Sequence, residues 1–256
     1  MLTTRHVPAL PLFRMTSLFL ETGDIFVYNS STVSRIIFDI ETVGKDFESL
    51  DPPTQEYLLR YAETDDEKAE IKDRLSFYPV TAEIVTIGLL EPESQKGFVF
   101  FQTAGDPLLP FEEDNILYES GTEKEIIQKF WNTIRRYKHF ITFNGRGFDC
   151  PFILIRSAVN KLKPTRELMP NRYADTHLDL LDQLTFFGAS RRRFSLDMWC
   201  RTFGIKSPKA DGITGYEVKD LFRSGRCLDI ARYCVGDLRA TRELLHMWEN
   251  YIRFSV

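Results

Sequence analysis

The stretch Ile36-Ile37-Phe38-Asp39-Ile40-Glu41-Thr42 is apolar on both alternating faces except at Asp39, Glu41 and the closing Thr42. That pattern predicts a buried strand. Asp39 and Glu41 stand two residues apart, so on a strand their side chains share one face and Ile40 takes the other. Residues 83–90 and 97–102 are further apolar runs separated by a Pro/Glu/Ser turn. They predict an antiparallel hairpin in the same sheet. Residues 122–137 carry Ile126, Ile127, Phe130, Trp131 and Ile134 at helical spacing, behind a capping box of Thr122 and Glu125. Residues 139–143 read as the next strand, and a helix between two strands predicts a parallel crossover.

The glycines of Asn144-Gly145-Arg146-Gly147 predict a tight turn leading into a helix over 148–160, with Asp149 at its start and Pro151 tolerated in its first turn. Residues 177–187 are apolar-periodic and predict an element packed on the core. Short helices are expected over 196–203 and 217–223, with a glycine-rich loop over 204–215 between them. Residues 228–251 carry a long apolar stripe at helical spacing, and Tyr233 and Asp237, four apart, share one face of that helix. The order βββαβα followed by helices predicts an α/β fold, a mixed sheet flanked by helices.

Residues 45–74 hold ten acids against five bases. They predict one or two surface helices inserted at the sheet edge, with a mobile loop around Glu63–Glu67. Residues 25–28 suggest a short strand. The expected organisation is an extension over 1–34 and one domain over 35–256, with the charged insert at about 45–75.

A chain of 256 residues suffices for one good-sized core. The net charge of −4 argues against coating duplex nucleic acid by charge alone. None of Cys150, Cys200, Cys227 and Cys234 forms a C-x-x-C pair, which speaks against zinc or redox spacing and for a reducing, cytoplasmic setting. No apolar run reaches membrane-spanning length. Pro8, Pro11 and Arg14 interrupt the run at 7–20, so export is not expected.

Two like charges on one face of a buried strand are costly unless a cation lies between them, and Mg²⁺ or Mn²⁺ prefers carboxylate oxygen. The alternative is a strand end whose carboxylates point into water. Further acids stand at element starts and on the last helix, giving Asp-x-Glu, then Asn-x-x-x-Phe-Asp, then Tyr-x-x-x-Asp, at Asp39/Glu41, Asn144–Asp149 and Tyr233/Asp237.

This order resembles the DEDD superfamily of 3′–5′ exonucleases, on the ribonuclease-H-like fold, in the branch with tyrosine in the third motif. Phe-Asn-Gly-Arg-Gly-Phe-Asp-Cys-Pro-Phe, His177-Leu178-Asp179-Leu180, Ser195-Leu196-Asp197 and Asp211-Gly212 resemble the exonucleases related to the proofreading domain of family B DNA polymerases, over about residues 35–250. The resemblance implies two divalent ions, Mg²⁺ or Mn²⁺. Asp39, Glu41 and Asp237 would hold the first. Asp39 would bridge to the second, supported by Asp149, and Tyr233 would orient the attacking water. It also implies substrate contacts from Thr42 and Val43, and from Asn144 and Phe148. Phe148 read by itself is more often a core residue. Arg146 suits a phosphate contact or a plain surface position. Arg191–Arg193 with Lys206 and Lys209 suit either a strand's phosphates or solvent.

The expected activity is hydrolysis of nucleic acid from its 3′ end to nucleoside 5′-monophosphates, with single-stranded DNA favoured, and with a protein partner in trans if it proofreads. An RNA-trimming exonuclease and a catalytically silent nucleic-acid-binding or scaffolding module are the alternatives. No histidine stands five before Asp237, and His139, which opens a strand, is expected to be structural.

Overall fold

Every strand of the core sheet takes its place relative to one central strand. The computed structural model describes residues 34–103, 105–207 and 217–254. The expected strand at 25–28, Lys209 and the Asp211-Gly212 pair lie outside the described residues. Seven strands are described: β1 (Arg35–Gly44), β2 (Ala82–Leu90), β3 (Gly97–Phe101), β4 (Phe111–Glu113), β5 (Ile116–Ser120), β6 (His139–Thr142) and β7 (His177–Asp179). They form one sheet in the order β4-β5-β3-β2-β1-β6-β7. β1 runs antiparallel to β2 and parallel to β6, and β2 and β3 form the expected antiparallel hairpin. The helices are α1 (Pro52–Leu59), α2 (Asp65–Asp73), α3 (Glu123–Ile134), α4 (Asp149–Val159), α5 (Leu180–Leu184), α6 (Leu196–Phe203), α7 (Val218–Arg223) and α8 (Cys227–Tyr251).

Three features differ from the sequence expectation. The sheet gains β4 and β5, joined by Asp114 and Asn115, both at positive φ as a tight hairpin turn requires. The element over 177–187 is a strand, β7, running directly into α5. The expected mobile loop at Glu63–Glu67 is instead the start of α2. There Thr64 accepts from the Glu67 N–H, and the Glu67 carboxylate accepts from the Thr64 N–H. That reciprocal cap satisfies two donors that a helix end otherwise leaves open.

The sheet is covered on both faces. Ile36, Phe38 and Ile40 pack with Ile126, Phe130 and Trp131 of α3 and with Phe152 and Ile153 of α4. Ile37, Val99 and Phe101 pack with Ala231, Val235, Leu238 and Leu245 of α8. Asp39 and Glu41 have the parity of Ile37, so they face α8. A register shift falls between Glu41, opposite Thr86, and Thr42, opposite Ile84, leaving Val85 as the extra residue on β2. This bulge explains how Ile84 and Ile87, an odd number of residues apart, reach the same core. Arg156 of α4 forks onto Glu123 of α3 at 2.8 and 2.7 Å, and Glu123 also accepts from the Ile84 N–H at 2.9 Å. One buried ion pair thus ties two helices to β2. No helix among the described residues is long and apolar enough to cross a membrane.

Gly88, directly opposite Asp39, sets how close α8 comes to the sheet. A Cβ there would lie 2.7 Å from both the Cys234 Sγ and the Leu238 Cδ1. Overfilling such a contact costs about 1–3 kcal/mol. Gly88→Ala is expected to lower unfolding free energy by that amount in urea denaturation, and an unchanged midpoint would show that α8 is not held against β2 at this point.

Candidate active site

Three separated elements deliver acids to one spot. β1 supplies Asp39 and Glu41. Beyond Ile37, β1 is no longer paired with β6, and the Ile40 N–H donates instead to the Asp149 Oδ1 at 3.1 Å. Asp149, 3 % exposed, is therefore held by the peptide between the two β1 acids. α8 supplies Tyr233 and Asp237, one turn apart, and the Tyr233 hydroxyl donates to the Asp237 carboxylate.

Charge interactions show that the five groups converge. Burial raises the Asp39 pKa well above the ordinary carboxylate range, and Asp149, Asp237 and Glu41 raise it further. Burial also raises Glu41, with Asp237 and Asp149 adding to the effect. Asp149 is pushed up to about 7, chiefly by burial. The Tyr233 phenol is raised by burial and by Asp237, Glu41 and Asp39, so it keeps its proton. Ligand atoms of Asp39, Glu41 and Cys234 lie within 4.8 Å of one another. At an effective dielectric of about 20, two unit charges 4–5 Å apart repel by about 3–4 kcal/mol. One hydrogen bond to a charged group returns only about 1.5–3 kcal/mol. The repulsion wins, and either protonation of the acids or a cation held between them offsets it.

The donor chemistry fits a hard divalent ion. The Cys234 thiol sits 3.9 Å from the Asp39 Oδ2, and burial with the adjacent carboxylates raises its pKa, so it stays a neutral thiol. The carboxylate oxygens of Asp39 and Glu41 beside it are the donor type that Mg²⁺ and Mn²⁺ prefer.

The expected substrate residues have mixed surroundings. The Thr42 hydroxyl donates to the Ser76 carbonyl at 2.7 Å, and the Val43 side chain packs in a core cluster with Val85, Val218 and Ile230. The Arg146 guanidinium donates to the carbonyls of Pro170 and Asn171 at 2.9 and 3.2 Å, so the structure gives it a loop-bracing contact. Phe148 is half-buried, between Phe77 at 6.4 Å and Phe152 at 5.3 Å. Asn144 adopts a φ of 63°, and its Oδ1 accepts from Arg193 at 3.0 Å. Gly145 is needed beside it, because a Cβ there would meet the Thr142 side chain at 2.3 Å.

Sequence reasoning gave no role to Asp179. Its buried carboxylate accepts from the N–H groups of Asn144, Arg146 and Leu181 at 2.9, 2.9 and 3.0 Å. It thereby fixes the turn that delivers Asp149. The signal available was an acid in an otherwise apolar stretch, His177-Leu178-Asp179-Leu180-Leu181. His177 is structural: it is buried against Phe140, its Nε2 lies 2.9 Å from the Thr142 Oγ1, and burial with Arg146 holds its pKa down to about 3. All four cysteines are free and buried.

Residues 82–248 match a family model described as predicted 3′–5′ exonucleases related to the exonuclease domain of PolB. The chain belongs to this exonuclease family. The match covers α4 and α8, whereas β1, with Asp39 and Glu41, precedes it. Among solved structures, the family B DNA polymerase from the hyperthermophilic archaeon Pyrobaculum calidifontis is similar, with a TM-score of 0.55 and 16% identity over 86% of this chain. The chain spans 25% of that polymerase's length, and the likeness is one of fold. It supports the ribonuclease-H-like architecture expected of an exonuclease in this family. No curated protein matches.

The crowding of acids has a sign that can be measured. An acid with a raised folded pKa keeps a proton that the unfolded chain has lost, here between about pH 4 and about pH 7 for Asp149. Stability of the metal-free protein is therefore lost as pH rises through that window. In EDTA the melting temperature is expected to fall between about pH 5 and about pH 7.5, and Mn²⁺ at the higher pH should restore it. A melting temperature that stays flat or climbs with pH in EDTA would contradict this charge arrangement.

Proposed function

We propose that the protein is a two-metal-ion 3′–5′ exonuclease that releases nucleoside 5′-monophosphates, with single-stranded DNA as its favoured substrate. The observation that carries this reading is the convergence of Asp39, Glu41, Asp149, Asp237 and Tyr233 from β1, α4 and α8. The choice of DNA rests on the family's relation to a polymerase exonuclease domain.

In this reading Asp39, Glu41 and Asp237 would hold one ion, and Asp39 with Asp149 would hold a second. Such ions would supply Lewis acidity at the scissile phosphate, a lowered pKa for water, and compensation for charge on the leaving oxygen. Asp149 is oriented for this by the Ile40 N–H, and its α4 start is fixed through Asp179. Tyr233 retains its proton, so it positions the attacking water through its hydroxyl oxygen rather than acting as a base. The donor bond to Asp237 sets the direction of that hydroxyl. Cys234 packs closely against Gly88 on the α8 side of the site.

The test is a time course on 5′-labelled DNA and RNA oligonucleotides, single- and double-stranded, with Mg²⁺, Mn²⁺ or EDTA. A metal-dependent ladder shortening from the 3′ end is expected, fastest on single-stranded DNA. Faster loss of RNA would transfer the reading to RNA trimming, and no cleavage with any ion would favour a silent binding module. Asp39→Ala and Asp237→Ala should each cost roughly a thousandfold or more in kcat, matching the several kcal/mol contributed by metal-borne stabilisation. Activity surviving in either folded variant would remove these carboxylates from the ligand set.

Tyr233→Phe should reduce kcat by up to about 10²-fold, the cost of a misplaced reactant, while Mn²⁺ affinity by titration calorimetry stays at the wild-type value. Loss of Mn²⁺ affinity in this variant would instead make Tyr233 a support for the ligands.

A further inference from the structure

Between α5 and α6 the chain makes a detour that the core does not require. Phe186, Phe187 and Gly188 all have positive φ, at 50°, 57° and 98°. Two successive phenylalanines in the left-handed region form an unfavourable conformation for bulky side chains. It persists because the surroundings fix it. The N–H groups of Gly188 and Ser190 both donate to the Thr185 carbonyl at 3.0 Å. The Phe187 ring rests against Tyr173 at 4.9 Å, and the guanidinium of Arg172, paired with the buried Asp182, lies 5.8 Å from the same ring. The result is a Phe186 ring that stays 59% exposed.

Three arginines follow at once. Arg193 donates to the Asn144 Oδ1, which fastens the segment to the turn carrying Asp149. Arg192 lies over the Phe194 ring at 5.1 Å, and neither it nor Arg191 has an ion pair among the described residues. A strained, braced segment thus presents an aromatic ring and cations without an ion pair among the described residues, and Arg193 fastens it to the turn that carries Asp149, in a chain whose net charge is −4.

We infer that residues 186–193 form a track for the single strand upstream of its 3′ end, with Phe186 stacking on a base and Arg191 and Arg192 contacting phosphates. This rests on the exonuclease reading of the acidic site. Stacking requires an unpaired base and tolerates any sequence, because every base has a π face. The substrate class is therefore a single strand reaching several nucleotides back from the site, and the contacts named do not read the sugar.

Fluorescence anisotropy with Ca²⁺ in place of Mg²⁺ tests it, using a trinucleotide and a strand of about 12 nucleotides in both DNA and RNA form, and a duplex of about the same length. The wild-type chain is expected to bind the longer strand at least about tenfold more tightly than the trinucleotide and more tightly than the duplex. Arg191→Ala/Arg192→Ala should lower the slope of log K against log salt by about 1.4, two phosphates at about 0.7 each. Phe186→Ala should weaken the longer strand on the order of tenfold without changing that slope, and Phe186→Trp should restore it. Wild-type slope and length advantage in all variants would overturn the track. Parallel cleavage in Mn²⁺ separates the two readings. A protein that shortens 3′ ends with no length advantage keeps the site and loses the track, and one that neither binds nor cleaves loses both.

Discussion

Repulsion among carboxylates gathered at the seam between β1 and α8 is the constraint around which this molecule is built. Asp39, Glu41 and Asp149 all have pKa values raised by burial and by neighbouring acids. The fold holds them together anyway, through elements whose own packing lies elsewhere. β1 is fixed by strands on both sides, α4 by its apolar face and the Arg156–Glu123 pair, and α8 by a stripe of eleven buried residues. The acids are passengers on rigid supports, which is how a functional site tolerates a local cost.

The geometry of that seam depends on small features. Gly88 admits α8 to van der Waals distance of the sheet, next to Asp39. The bulge at Val85 keeps the hydrophobic face of β2 in register on both sides of the site. Asp179 gathers three backbone donors and so gives the Asn144–Gly147 turn a single shape. Further out, Arg232 reaches from α8 to Glu113 of β4, so the outermost hairpin is joined to the helix that bears Tyr233.

Much of this was legible in the sequence because its causes are local. The Asp-x-Glu spacing on an apolar strand, the Thr122–Glu125 cap of α3 and the stripe of α8 each follow from side-chain periodicity. β4 and β5 escaped because they are short and the Asp114-Asn115 turn sits among acidic residues, which mask the alternation. Gly88 was visible as a glycine inside a strand, yet its meaning depends on which helix lands there. Arg146 could not be read alone, because its partners are carbonyls about 24 residues away in sequence. The Thr64–Glu67 box obeyed the same rule as the cap of α3, but the surrounding charge suggested mobility.

The two outermost strands, β4 and β7, are only three residues each. A sheet whose margins are long and flat offers rows of open peptide groups to any passing extended chain. Here one margin ends in a three-residue strand fastened to α8, and the other turns into α5 as soon as it has formed. The seven described strands, many of them rich in isoleucine and phenylalanine, are thus bounded by margins too short to serve as a template for self-association into fibres.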